Sequence, residues 1–160
     1  MRKIQNPFRH REGYHCFGCS PDHLSGLQMS FYEDGDEIIS SWEPKSQFEG
    51  YQGVLHGGIQ ATIMDEIASW VVYVKLKVAG VTSSMDVRYS KPVYMDGGPI
   101  LIRSKILRMR RNLADIQVGI YNKANELCSE ATVTYFTFSE KKSKESFFYP
   151  GEEAFFTEGS

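Results

Sequence analysis

The chain has 160 residues, with 18 Lys and Arg against 20 Asp and Glu, and a formal net charge of −2. This length suits one domain with a real core, and the near balance of charge offers no general pull toward nucleic acid or an anionic membrane. No apolar run approaches the roughly 20 residues of a membrane helix. Arg2 and Lys3 are not followed by the apolar stretch of a secretory signal. Three cysteines, an odd number, fit a reducing compartment better than a disulfide framework. A cytoplasmic protein is expected.

Residues 1–26 read as an N-terminal segment. It contains Cys16-x-x-Cys19 with His10, His15 and His23 nearby, which is half of a zinc signature. No second pair with ligand spacing follows, and Cys128 is distant. A redox pair would be expected ahead of a helix in a βαβ setting, which is absent. Reduced thiols in a packed turn, and no metal, are therefore expected.

Leu27 to Tyr32 and Glu37 to Trp42 read as short strands split by Glu33-Asp34-Gly35-Asp36, a sequence with hairpin-turn chemistry. Residues 44–56 carry Pro44, Gly50 and Gly53 and read as a loop. From Gly57 to about Lys77 the pattern is helical, with Gly80 placed as a C-terminal glycine. Four strands should follow, at Val81–Tyr89, Ile100–Met109, Ala114–Tyr121 and Cys128–Phe138, each alternating or β-branched. The expectation is an α+β domain over residues 27–139, one long helix against a single antiparallel sheet of about six strands. Residues 140–160 read as a tail in which Phe147, Phe148, Phe155 and Phe156 are able to dock.

At 100° per residue, Ile59, Ile63, Ile67, Trp70 and Val74 lie opposite Asp65 and should face the sheet. Ala61, Thr62, Ala68, Ser69 and Val72 fall on the Asp65 side. A stripe of small, uncharged residues around one acid is not the usual solvent face, which is where most helical aspartates lie. It leaves room for something to approach the carboxylate. Glu66 points about 100° away and reads as structural. Ahead of the helix, His56-Gly57-Gly58 offers bare backbone amides at a helix start, where developing negative charge is stabilised. Asp65 lies eight residues beyond Gly57, roughly 12 Å along the axis, too far for both to serve one carbonyl within one chain. Two such helices side by side in opposite directions, in a two-fold dimer, would bring them together.

Gly-x-x-His-Gly-Gly-Ile-x-x-x-x-x-Asp-Glu, followed by Asp86-Val87-Arg88-Tyr89-x-Lys91-Pro92-Val93, resembles the hotdog-fold acyl-CoA thioesterases of the PaaI type. Cys16-Phe17-Gly18-Cys19 with Ser25-Gly26-Leu27 resembles the opening of one subgroup. The resemblance covers about residues 14–139. It implies a hotdog fold, a homodimer often paired again into a tetramer, and coenzyme A as part of the substrate, with no other cofactor. By position, Gly57 would give its N–H to the thioester oxygen, with Gly58 beside it. Asp65 would be general base or nucleophile. Thr82, with Ser83 next to it, would be the hydroxyl that positions water. His56 either holds the loop by hydrogen bonds or contacts the thioester. Certain relatives have an asparagine six residues before the histidine, where this chain has Gly50.

Arg110 and Arg111, with Lys91 on another strand, are candidates for the coenzyme A phosphates, although a solvated hairpin end explains any one of them as well. The leading reading is hydrolysis of a medium-chain or aryl acyl-CoA. A non-catalytic acyl-CoA binding or sensing module is the alternative, and a hydratase or dehydratase ranks last. No nucleic-acid or membrane partner is expected.

Overall fold

Seven strands form one antiparallel sheet in the order β1-β2-β3-β5-β6-β7-β4. A computed structural model describes residues 1–157. The strands are β1 (Arg2–Ile4), β2 (Phe31–Asp34), β3 (Glu37–Trp42), β4 (Gly80–Tyr89), β5 (Ile100–Arg110), β6 (Leu113–Tyr121) and β7 (Leu127–Thr137). Helix α1 (Gly57–Val71) lies against them. This is the expected layout with one strand more than the six anticipated. The addition is β1, which pairs Ile4 with Phe31 and brings the N-terminal segment into the sheet. The strand expected from Leu27 starts only at Phe31.

Ile63, Met64, Ile67, Ala68, Trp70 and Val71 of α1 are fully enclosed. Ala68 and the following Val72 were expected on the open side with Asp65, but both are buried. Ile59, expected on the sheet face, is only half-buried. Ala61, Thr62 and Ser69, on the same side, are half-buried. The helix start is anchored by Gln60, whose side-chain amide donates to the Leu55 carbonyl at 3.1 Å and accepts from Ser129 of β7 at 2.8 Å. A buried amide of this kind is tolerable because both ends are satisfied.

After Val71 the backbone widens into a π-type turn over Val72–Leu76 and stops at Lys77, whose φ of 59° is left-handed. Gly80 therefore does not end the helix. A Cβ there would sit 2.9 Å from the Phe136 carbonyl oxygen, so glycine is needed for close approach of β4 to β7.

Residues 140–157 are ordered by packing. Helix α2 (Glu140–Ser146) is capped by Ser139, which accepts from the Lys142 N–H. Ser143 accepts from the Ala79 N–H at 2.9 Å. Phe155 is fully buried, and its carbonyl accepts from the Gln5 N–H at 2.8 Å. The rings of Phe8, Trp70, Tyr73 and Tyr149 surround it at centroid distances of 5.8–6.0 Å. Of the four tail phenylalanines, Phe155 enters the core, while Phe148 remains 58% exposed beneath the Arg11 guanidinium. Both chain ends thus close over the outer side of α1. No helix among the described residues is long and apolar enough to cross a membrane.

If this aromatic cluster supports the fold, Phe155→Ala should lower unfolding free energy by about 3–5 kcal/mol, read from the midpoint of a urea or guanidinium titration. A change near zero would mean that the C-terminal residues do not contribute to the core.

Candidate active site

The loop before α1 is shaped by its glycines. Gly53 has a left-handed φ of 80°, and its N–H donates to the Glu49 side chain at 2.7 Å. Gly50 packs against His56 so closely that a Cβ would lie 2.9 Å from the His56 Cα. A side chain at this position cannot be accommodated without moving the histidine.

His56 is the N-cap of α1, and its Nδ1 accepts from the Gly58 N–H at 2.9 Å. That bond places the ring proton on Nε2 in the neutral form. It also engages the Gly58 amide, which is then not offered to a substrate. The Gly57 N–H is different: among the described residues no acceptor meets it. Its carbonyl accepts from the Tyr89 hydroxyl at 2.6 Å. The helix start therefore presents an unengaged Gly57 amide with the positive end of the helix dipole behind it.

Asp65 is half-buried at the other end of this face. Its Oδ1 accepts from the Thr82 hydroxyl at 2.7 Å and from the Tyr135 hydroxyl at 2.8 Å. The Tyr135 hydroxyl also approaches the Asp65 carbonyl, at 2.9 Å. Burial first, and then the neighbouring Asp65 charge, drive the Tyr135 hydroxyl well above the ordinary tyrosine range, so it stays a committed donor. With Oδ1 doubly held, Oδ2 is oriented and left for a water or a carbonyl carbon. The structure thus brings Asp65 and Thr82 together. Ser83 is the extra residue of a β-bulge between Thr82 and Ser84, which re-aims the strand beside the carboxylate.

Tyr135 and Tyr89 were assigned no role in the sequence reading. Tyr135 was legible in principle: alternation along Val133-Thr134-Tyr135 sets it on the helix-facing side, where a buried hydroxyl requires a partner. For Tyr89 nothing local points to Gly57, 32 positions away.

The basic candidates separate. Arg110 makes a bidentate pair with Asp115, at 2.9 and 3.1 Å, and Arg108 adds a third bond to the same carboxylate at 2.6 Å. Arg111 holds a left-handed turn position, φ 56°, between β5 and β6. Lys91 is ion-paired with Glu126. Across the sheet, Arg110 faces Leu113, which faces Phe136, which faces Val81. The arginine hairpin therefore lies at the Thr82 end of β4, and Lys91 just beyond the Tyr89 end.

Known proteins resemble this chain in sequence and in fold. The family model described as the thioesterase superfamily matches residues 52–129, the stretch that holds Gly57, Asp65, Thr82 and Tyr89. The chain is 30% identical over 89 residues to acyl-coenzyme A thioesterase 13 of Mus musculus, covering 55% of this chain and 63% of that one. The curated relatives matched first are spanned over only 61–63% of their length. Among solved structures, thioesterase HI1161 from Haemophilus influenzae superposes with a TM-score of 0.68 at 23% identity, over 76% of this chain and 86% of that one. A Streptococcus mutans protein bound to acetyl CoA gives 0.65 at 20% identity, over 81% and 97%. The fold is the hotdog.

The buried Asp115 carboxylate, held by Arg110 and Arg108 and by the Thr134 hydroxyl, is kept well below the usual carboxylate range. Because its folded-state pKa is depressed, its stabilisation is present above the unfolded value of about 3.9 and is lost as pH falls through the folded value. Asp115→Asn should cost on the order of 2 kcal/mol at pH 7. The difference from wild type should shrink below about pH 4, as read by denaturant titrations at several pH values.

Proposed function

We propose that this chain, whose residues 52–129 match the thioesterase superfamily, belongs to that superfamily and hydrolyses the thioester of an acyl-CoA, of medium-chain or aryl type, at sites shared between two copies. The carrying observation is the pairing of an unengaged Gly57 N–H with a doubly anchored Asp65 on the same helix, two turns apart.

Eight residues separate them, roughly 12 Å along the axis, and an aspartate side chain does not bridge that gap. The supporting geometry for a shared site lies in β4. This ten-residue strand pairs only with β7 and ends the sheet. Along it, Val81 is 45% and Tyr89 52% exposed. A long open edge of this kind is a template for another strand. A two-fold axis between Met85 and Asp86 would set Thr82 opposite the partner's Tyr89. Because Thr82 holds Asp65 and Tyr89 touches Gly57, the same axis would bring Asp65 of one copy to the partner's Gly57. The isologous interface makes two equivalent sites.

In such a site Asp65 acts as the general base. Its Oδ2 takes a proton from a water placed against the thioester carbonyl, while the carbonyl oxygen gains charge against the partner's Gly57 N–H. The coenzyme A thiolate then leaves and recovers a proton. An oriented amide of this kind supplies about 3 kcal/mol to the transition state, and the base a further 10²–10⁴-fold on the order of magnitude. Thr82 and Tyr135 fix the carboxylate, and His56 fixes the loop by capping Gly58, a positioning role. Arg110 and Arg111 are the candidates for the nucleotide phosphates at one end of the strand, and Lys91 at the other.

Thiol release from short, medium, long and aryl acyl-CoAs should show turnover that falls by roughly 10²–10⁴-fold in Asp65→Asn. Coenzyme A binding without turnover on any of them would support the binding-module alternative instead. The shared site has its own test. Gly57 is the first residue of α1 and His56 before it has φ −56° and ψ 131°, so proline at 57 suits the backbone and removes the N–H, with its Cβ in ordinary contact with the Tyr89 ring at 3.5 Å. Gly57→Pro should lose roughly 10²–10³-fold in kcat. Mixed dimers of Asp65→Asn with Gly57→Pro each hold one intact site, so co-expression should restore about a quarter of wild-type activity. No restoration, with mixed dimers present, would place both groups in one chain's site and sink the model.

A further inference from the structure

Outside the proposed active site, one cluster of reactive side chains remains unexplained. Cys16 and Cys19 stand with their sulfurs 3.0 Å apart, and Glu66 of α1 brings its carboxylate oxygens to 3.5 and 3.6 Å from the Cys16 sulfur. All three donor groups lie within 4.8 Å of one another. We infer that Cys16, Cys19 and Glu66 form a binding site for one divalent cation of the zinc class, with its fourth position open to the adjoining cavity.

The distances suit the ion. Zinc–sulfur bonds of about 2.3 Å and zinc–oxygen bonds of about 2.0–2.2 Å in tetrahedral arrangement set sulfur and oxygen about 3.5 Å apart and two sulfurs about 3.8 Å apart. The Cys16–Glu66 separation already has that value. The sulfurs need to part by roughly 0.8 Å, a small side-chain rotation on a turn. Thiolates with a carboxylate select a borderline-soft metal over magnesium or calcium, which take all-oxygen ligands.

The surroundings are those of ligands held in place. The Cys19 N–H donates to the Cys16 sulfur at 3.2 Å, and the Trp70 indole N–H donates to Glu66 Oε1 at 3.1 Å. The Tyr14 hydroxyl lies 2.9 Å from the Cys19 sulfur. Such outer contacts orient metal ligands and tune their basicity. Gly18, between the cysteines, faces the carboxylate directly: a Cβ there would fall 2.4 Å from Glu66 Oε2. The turn admits Glu66 only because residue 18 has no side chain.

Charge supplies the need for a cation. Among the described residues no Lys or Arg is ion-paired with Glu66, and a desolvated anion calls for a pairing charge or a metal. The open side faces a cavity of about 180 Å³ bordered by Phe8, Arg11, Tyr14, Tyr73 and Phe147, with room for a water as fourth ligand. The proposal departs from the expectation of no metal, which searched for a second pair in sequence. The third ligand comes from the helix, 47 positions beyond Cys19.

The test uses the full chain without a histidine tag, reduced and stripped by a chelator, then titrated with Co²⁺ and afterwards Zn²⁺. The expected result is saturation at about one Co²⁺ per chain, with sulfur-to-cobalt charge-transfer absorption and the intense visible bands of tetrahedral cobalt, both erased by Zn²⁺. In the zinc form Cys16, the half-buried thiol, should resist an exchange reagent that modifies it in the stripped chain. Glu66→Gln and Cys16→Ser should each weaken Co²⁺ binding by roughly tenfold or more, while Cys128→Ser leaves it unchanged. Circular dichroism checks folding, and if Cys16→Ser unfolds, the milder Glu66→Gln decides. A reduced wild-type chain that gives no thiolate–cobalt band overturns the site. So does a band that survives Glu66→Gln unchanged, or a chain that only closes a Cys16–Cys19 disulfide under mild oxidation and takes up no metal.

Discussion

Two turns of helix separate the Gly57 amide from the Asp65 carboxylate, and helix geometry is not negotiable: about 12 Å along the axis stays about 12 Å. Most other features of the proposed site follow from this spacing. A group that accepts charge and a group that delivers a nucleophile must both lie within hydrogen-bond reach of one carbonyl. A single chain of this fold holds them apart, at the two ends of the face that runs beside β4. The strand carries the same division, with Thr82 bonded to Asp65 and Tyr89 bonded to Gly57. Its outer edge is unpaired within the chain, and a two-fold partner on that edge exchanges the two ends. Catalytic competence and assembly would then be one property, since the residues that make the site are also those beside the interface.

The loop before the helix solves a smaller packing problem. His56 must lie over the helix start to cap Gly58, and its backbone must pass close to residue 50. A Cβ at position 50 would meet the His56 Cα, and one at position 58 would come within 3.0 Å of the His56 ring. Both glycines therefore make room for one imidazole. The histidine consumes one of the free amides of the helix start and leaves the one before it unengaged. In the proposed site this would select Gly57 over Gly58 as the donor, although the two look interchangeable in sequence.

The local features were legible in the sequence wherever the signal is periodic or punctuated. Alternation marked the four later strands, the glycines marked the loop, and the helical wheel singled out Asp65. What was missed depends on residues far apart in the chain. β1 is only three residues long and exists because Phe31 lies opposite Ile4. Tyr135 joins Asp65 across 70 positions. The wheel also predicted an open side around Asp65, yet Ala68 and Val72 are buried. A hydrophobic pattern reports how many faces are apolar, whereas the second apolar face here is covered by β4 and β7. The C-terminal residues looked like a charged tail because Lys141-Lys142-Ser143-Lys144 dominates their composition. Phe155, only a few positions from the end, is what folds them back onto Trp70.

Asp65 and Glu66 are neighbours in sequence, and the helix turns them about 100° apart into different environments. Asp65 faces two hydroxyl donors from the sheet, which hold an anion without a cation and leave one oxygen for chemistry. Glu66 faces two sulfurs and an indole N–H from the opposite side, where desolvation makes a lone charge costly. On the proposed readings, the same residue class would serve proton transfer in one position and ligation in the other. A metal at Cys16, Cys19 and Glu66 would tie the N-terminal segment to the turn of α1 that carries Asp65. It would steady that carboxylate along the helix backbone without touching the substrate. The two sites then divide the labour of one helix, with the inner side set against an assembly edge and the outer side fastened by the chain's own ends.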